Sequence, residues 1–90
     1  MKRVRVSVFG QVQGVGFRSF AQECASMCEI TGWVKNEWDG SVTLEIQGDE
    51  GETERFLAIL RLGNRYAYVD RLTKEEVPVL EEERGFHIRY

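Results

Sequence analysis

Histidine and proline occur once each in 90 residues and cysteine twice, and each scarcity closes off a kind of chemistry. His87 has no partner histidines and no CxxC pair exists, so a zinc site is not expected. Cys24 and Cys28 lie four apart in a helical pattern, which sets their Cβ atoms roughly 5–6 Å apart. A disulfide wants about 3.5–4.5 Å, so the two read as buried thiols on one helix face. Pro78 is confined to an edge strand or a strand end. No apolar run approaches the ~18 residues of a membrane span. Met1-Lys2-Arg3 leads straight into a strand pattern without a signal-peptide core, so the expectation is a cytoplasmic protein with no membrane partner. A basic excess is also missing. The formal charge is −3, from 12 Lys and Arg against 15 Asp and Glu, which argues against nucleic acid as a partner while leaving room for a local cationic pocket.

What is present fits one small α+β domain spanning 1–90. Lys2 to Phe9 alternates, with Val4, Val6 and Val8 on one face and Arg3, Arg5 and Ser7 on the other, as a half-buried strand does. Phe17, Phe20, Ala21, Cys24, Met27 and Cys28 recur at helical spacing, which predicts a helix ending near Thr31-Gly32. Gly32–Trp38 and Ser41–Gln47 are strand-like around Asp39-Gly40, read as a two-residue type I′ hairpin turn. Asp49 offers an N-cap with Glu52 three residues on, and a helix carrying Phe56, Leu57, Ile59 and Leu60 should stop near Gly63. Strand segments are expected within Tyr66–Val79, and a short last strand in FHIRY.

The order β-α-β-β-α-β with an extra C-terminal strand predicts a ferredoxin-like sandwich, an antiparallel sheet with two helices on one face. In that topology the exit of the first strand, the start of the first helix and the end of the second strand share one end of the sheet. The segment GQVQGVGFR, Gly10 to Arg18, therefore becomes a neighbour of the residues before the Asp39-Gly40 turn.

Glycines ahead of a helix allow backbone N–H groups to point together at an anion. Arg18, in the first helical turn, adds a planar fork that can donate two parallel hydrogen bonds to phosphate. The segment lacks Gly-Lys-Ser/Thr, and the third glycine of a dinucleotide fingerprint is missing. On spacing alone, glycines that merely turn the chain beside a solvated Arg18 explain it equally well.

GQVQGVGFR followed by GWVKNEWDGSVTLEIQG resembles the two signature segments of the acylphosphatase family. The likeness covers Val4 to Gly48, and the ending F-x-I-x-Y (Phe86, Ile88, Tyr90) is similar too. The resemblance implies the same sandwich and hydrolysis of the carboxyl–phosphate bond of acyl phosphates without metal or cofactor. It implies that Arg18 binds the phosphoryl group, with the backbone of Gln11, Val12, Gln13, Gly14, Val15 and Gly16 around it. Asn36 would hold the attacking water, and inorganic phosphate would be both product and inhibitor. A departure stands at Asn64–Val69, NRYAYV, where a small-residue, proline-bearing connection would be expected; this stretch should lie at the active-site end.

The chemistry suits these residues. The departing carboxylate is a weak base, so what remains is to neutralise phosphoryl oxygens and place a water in line. An asparagine amide orients water without being a base, and no convincing Ser-His-Asp set or acid–base pair is present. The remaining conspicuous residues have plain readings: His87 structural or at the surface, Glu81-Glu82-Glu83 a solvated turn, Trp33 and Trp38 packing the sheet. Strand parity puts Asn36 on the face of Val34 and does not fix its exposure. A monomer is expected. The alternatives are a non-catalytic phosphate-binding module on the same loop and an RNA-binding domain, the latter disfavoured by the acidic charge.

Overall fold

Residues 1–90 are described by a computed structural model. The elements run β1 (Lys2–Gln11), α1 (Phe17–Met27), β2 (Thr31–Asn36), β3 (Val42–Gly48), α2 (Glu50–Leu62), β4 (Tyr68–Val77) and β5 (Phe86–Arg89). The sheet order is β4-β1-β3-β2-β5. β1 pairs antiparallel with β3 and β4, and β2 antiparallel with β3. β1 and β2 therefore run the same way with β3 between them, as the ferredoxin-like reading requires. The extra strand departs from an all-antiparallel sheet: β5 pairs parallel with β2, Gly32 opposite Phe86 and Val34 opposite Ile88.

The alternation in β1 places Val4, Val6 and Val8 in the core with Val34, Leu44 and Ile46. α1 covers them with Phe17, Ala21, Cys24 and Ala25, and α2 with Phe56, Leu57 and Leu60. Each such aliphatic side chain contributes about 1.5–3 kcal/mol when fully buried. Both cysteines are free and buried. Burial, with the neighbouring Cys28 and Glu23, pushes the Cys24 thiol up to about 11, so little of it is thiolate near neutrality.

Three local expectations need correction. α1 ends at Met27, before β2 begins at Thr31. The β2–β3 connection is a three-residue turn, Trp38-Asp39-Gly40, rather than a two-residue one. The Glu37 carbonyl accepts the Gly40 N–H, the Glu37 N–H reaches the Ser41 carbonyl, and Gly40 alone takes a positive φ of 91°. Asp39 closes the turn by accepting the Ser41 N–H at 2.9 Å and its hydroxyl at 2.6 Å. Asp49 caps α2 by position, without a side-chain hydrogen bond.

Glu83 is not a solvated turn residue either. Its carboxylate takes both Arg3 Nη1 (2.7 Å) and Nη2 (3.0 Å) and the Thr31 hydroxyl (2.8 Å). Arg3 is 1% exposed and also reaches Glu45 at 2.8 Å. Burial pushes the Glu45 carboxyl up, but the hydrogen bonds and charges of Arg3 and Arg5 outweigh it, and the net direction is below the ordinary carboxylate value. A buried arginine needs this degree of pairing, since an uncompensated buried charge costs several kcal/mol. Gln47 completes the clasp, donating to the Leu80 carbonyl and accepting its N–H, both at 2.8 Å. The β4–β5 segment is thereby tied to the face of the sheet away from the helices, at the end opposite the glycine loop. No helix is long and apolar enough to cross a membrane.

Candidate active site

The glycines of the loop do two different jobs. Gly10 lies at a bulge between β1 and β4, where a Cβ would collide with the Tyr68 carbonyl. Gly14 and Gly16, at φ 71° and 75°, bend the chain from β1 into α1, and Gly16 serves as the left-handed N-cap of the helix. A side chain is disfavoured at such φ values. The bend leaves the backbone N–H groups from Gln13 to Ser19 without an acceptor in the protein; the first amide to find one is Phe20, bonded to the Gly16 carbonyl. Seven consecutive free donors at a helix N-terminus make an anion-binding concavity.

Two amide side chains hold this loop in shape. Gln13 Nε2 donates to the carbonyls of Glu37 and Ser41, each at 2.8 Å, joining the loop to the base of the β2–β3 turn. Asn64 Nδ2 donates to the Val15 carbonyl at 2.8 Å, while its Oδ1 accepts the N–H groups of Tyr66 (3.0 Å) and Ala67 (2.7 Å). The NRYAYV stretch thus does stand at this end of the sheet.

Val12, Gly14, Gly16, Phe17, Arg18, Ser19 and Asn36 line one pocket of about 100 Å³. Arg18 is half-buried; it donates one hydrogen bond, Nη1 to the Arg89 carbonyl at 3.3 Å, and its guanidinium lies 4.7 Å from the centre of the Tyr90 ring. Its other donors are unused. Asn36, on the last residue of β2 and opposite Val42, carries a buried Oδ1 with no hydrogen-bond partner. Leaving such an acceptor unmatched costs about 1–3 kcal/mol, so the position is held at a cost to stability beside the pocket that Asn36 lines. No group of three or more His, Cys, Asp or Glu side chains is arranged to hold a metal ion.

The sequence-derived set maps onto this geometry unevenly. Arg18, Asn36, Val12, Gly14 and Gly16 meet around the pocket, though the Val12 side chain itself is in the core. Gln13 turns its amide toward backbone carbonyls, and Val15 packs partly against the core while offering its carbonyl to Asn64. Gln11 does not reach the pocket: it is the last residue of β1, paired with Tyr68. Sequence reasoning missed Ser19 and Asn64. Ser19 follows Arg18 in the first helical turn, a position that could have been included. Asn64 gave no local signal beyond its departure from the expected connection.

Trp38 overturns its expected role, because it does not pack the sheet. It is fully exposed at the tip of the β2–β3 turn, whereas Trp33 is half-buried beneath the Arg89 guanidinium at 4.5 Å. His87 is exposed, its Nε2 2.8 Å from the Arg84 carbonyl.

Comparison with known proteins bears on the family and the fold. The Acylphosphatase family model matches residues 4–88. An acylphosphatase of Geobacillus kaustophilus is 47% identical over 90 residues, covering 100% of this chain and 96% of that protein. One of Clostridium acetobutylicum is 44% identical over 90 residues, covering 100% of this chain and 99% of that protein. The crystal structure of acylphosphatase from Bacillus subtilis superposes with a TM-score of 0.95 at 37% identity, with both chains covered completely. A shared fold, a glycine loop with free amides and full-length identity at this level lead to one conclusion: the chain belongs to the acylphosphatase family.

Proposed function

We propose that the protein hydrolyses the carboxyl–phosphate bond of acyl phosphates, giving a carboxylate and inorganic phosphate, and that the pocket around Arg18 and Asn36 is where it does so. The observation that carries this reading is one small pocket lined by Gly14, Gly16, Phe17, Arg18 and Ser19, whose backbone N–H groups are unpaired, together with the remaining guanidinium donors of Arg18 and the side chain of Asn36. The amides and Arg18 bind the phosphoryl oxygens and take up charge as the P–O bond to the acyl group lengthens. The Asn36 side-chain amide hydrogen-bonds the attacking water and holds it in line with that bond. Water oxygen bonds to phosphorus, the acyl carboxylate leaves with the bonding pair, and the water's proton is lost to solvent or phosphate. Because the carboxylate is a good leaving group, no acid residue is required beside it.

The reading includes a monomeric, cytoplasmic protein, and two unpaired cysteines suit a reducing compartment. A net charge of −3 supports a small-molecule substrate over nucleic acid. The test is direct. Purified protein mixed with acetyl phosphate should release phosphate, with competitive inhibition by inorganic phosphate and no loss of activity on adding EDTA. Hydrolysis no faster than in buffer would leave an anion-binding module.

The loop's shape also sets phosphate affinity, so Asn64 matters through Val15. In Asn64→Asp the Tyr66 and Ala67 N–H groups keep an acceptor, but the donor to the Val15 carbonyl is gone and two oxygens face each other. One lost hydrogen bond of this kind is worth about 0.5–1.5 kcal/mol. The inhibition constant for inorganic phosphate should therefore rise about two- to tenfold, with a larger effect on KM than on kcat. An unchanged constant would free Asn64 from any part in shaping the loop.

A further inference from the structure

Beside the phosphate pocket lies a second cleft of about 400 Å³, lined by Gln13, Lys35, Asn36, Glu37, Trp38 and Tyr90. Asn36 belongs to both. Two of the six are aromatic and left almost wholly in water, Trp38 at 105% and Tyr90 at 91% exposure. The Trp38 indole offers a broad ring face at the edge of the cleft, suited to an aromatic partner. The turn that carries it is closed by Asp39 on Ser41, and Gln13 ties the turn's base to the phosphate loop. Tyr90 stands on the other side, its ring centre 4.7 Å from the Arg18 guanidinium. The two formal side-chain charges in the cleft, Lys35 and Glu37, are of opposite sign. An acyl group with a second anionic arm therefore has no net charge to meet, whereas a flat apolar one has two rings.

We propose that this cleft is the acyl subsite of the enzyme, and that it selects acyl phosphates with planar, aromatic acyl groups by stacking them on Trp38. The inference rests on the acylphosphatase reading of the neighbouring pocket. With the phosphoryl group among the loop amides, the acyl group leaves past Asn36 into the cleft, so Trp38 meets the part of the substrate that differs from one acyl phosphate to another. Trp38 is here a specificity-determining residue and touches none of the reacting atoms.

The experiment compares benzoyl phosphate with acetyl phosphate for the wild type, Trp38→Ala and Trp38→Phe, with a thermal melt of each. An aromatic pair adds enough for about a two- to tenfold effect. The ratio of kcat/KM for benzoyl over acetyl phosphate should fall by that factor in Trp38→Ala, chiefly through KM. Trp38→Phe should restore most of it, and the inhibition constant for inorganic phosphate should move less than twofold. A ratio unchanged in Trp38→Ala, or both substrates weakened equally, overturns the subsite while leaving the hydrolase reading intact. A wild-type protein that cleaves neither substrate overturns the hydrolase reading and the subsite with it.

Discussion

Arg18→Lys is expected to lower kcat/KM by about 10²–10³-fold, nearly as much as Arg18→Ala, although the charge is kept. Removing one well-placed donor to a developing oxyanion costs about that much, and lysine offers a point charge where the guanidinium offers two parallel donors. The position on α1 makes the test clean. Arg18 is in the first turn, its one hydrogen bond is a 3.3 Å contact to the Arg89 carbonyl, and lysine and arginine have similar helix propensity. Thermal melts of the variant should match the wild type closely, so lost activity reports on the site and not on folding. Initial rates with acetyl phosphate, alongside phosphate inhibition, check it. A lysine variant within a fewfold of wild type on both would show that Arg18 does not grip phosphate through its fork.

Asn36→Ala should separate turnover from binding. The side-chain oxygen makes no hydrogen bond within the protein, so alanine removes an unsatisfied acceptor and breaks no internal hydrogen bond. The melting temperature should hold or rise slightly. If the amide orients the attacking water, kcat should drop about 10²–10³-fold, while the inhibition constant for phosphate, set by Arg18 and the loop amides, stays within about twofold. A residue kept for stability would give the reverse, a lower melting temperature with full activity in the folded fraction. That outcome would remove Asn36 from the chemistry.

How much of this could be read in the chain depends on the range of the forces involved. The valines of β1, the apolar stripe of α1 and the glycines before it follow from local periodicity and backbone sterics, so the sandwich and the Arg18 loop were legible. Strand parity stops at the strand's end, which is why Trp38, two residues beyond Asn36, stands in water and does not pack the sheet. The Asp39-Gly40 pair signals a turn, but turn length is decided by the pairing of β2 with β3, which the pair does not contain. Asn64 on Val15 and Glu83 on Arg3 link residues 49 and 80 positions apart. No window along the sequence carries either contact.

Those separations also govern when the protein becomes an enzyme. The first strand lies inside the sheet, between β4 and β3, and waits for both to arrive from far along the chain. Such non-local pairing places mixed α/β domains at intermediate to slow folding rates, because loop closure precedes any return from contacts. The Gln13 and Asn64 tethers span 24 and 49 residues, so the pocket is assembled only as the sheet closes. In a refolding time course, regained hydrolysis should therefore trail the return of helical signal, and a nascent chain still missing β4 would hold its glycine loop untethered on that side.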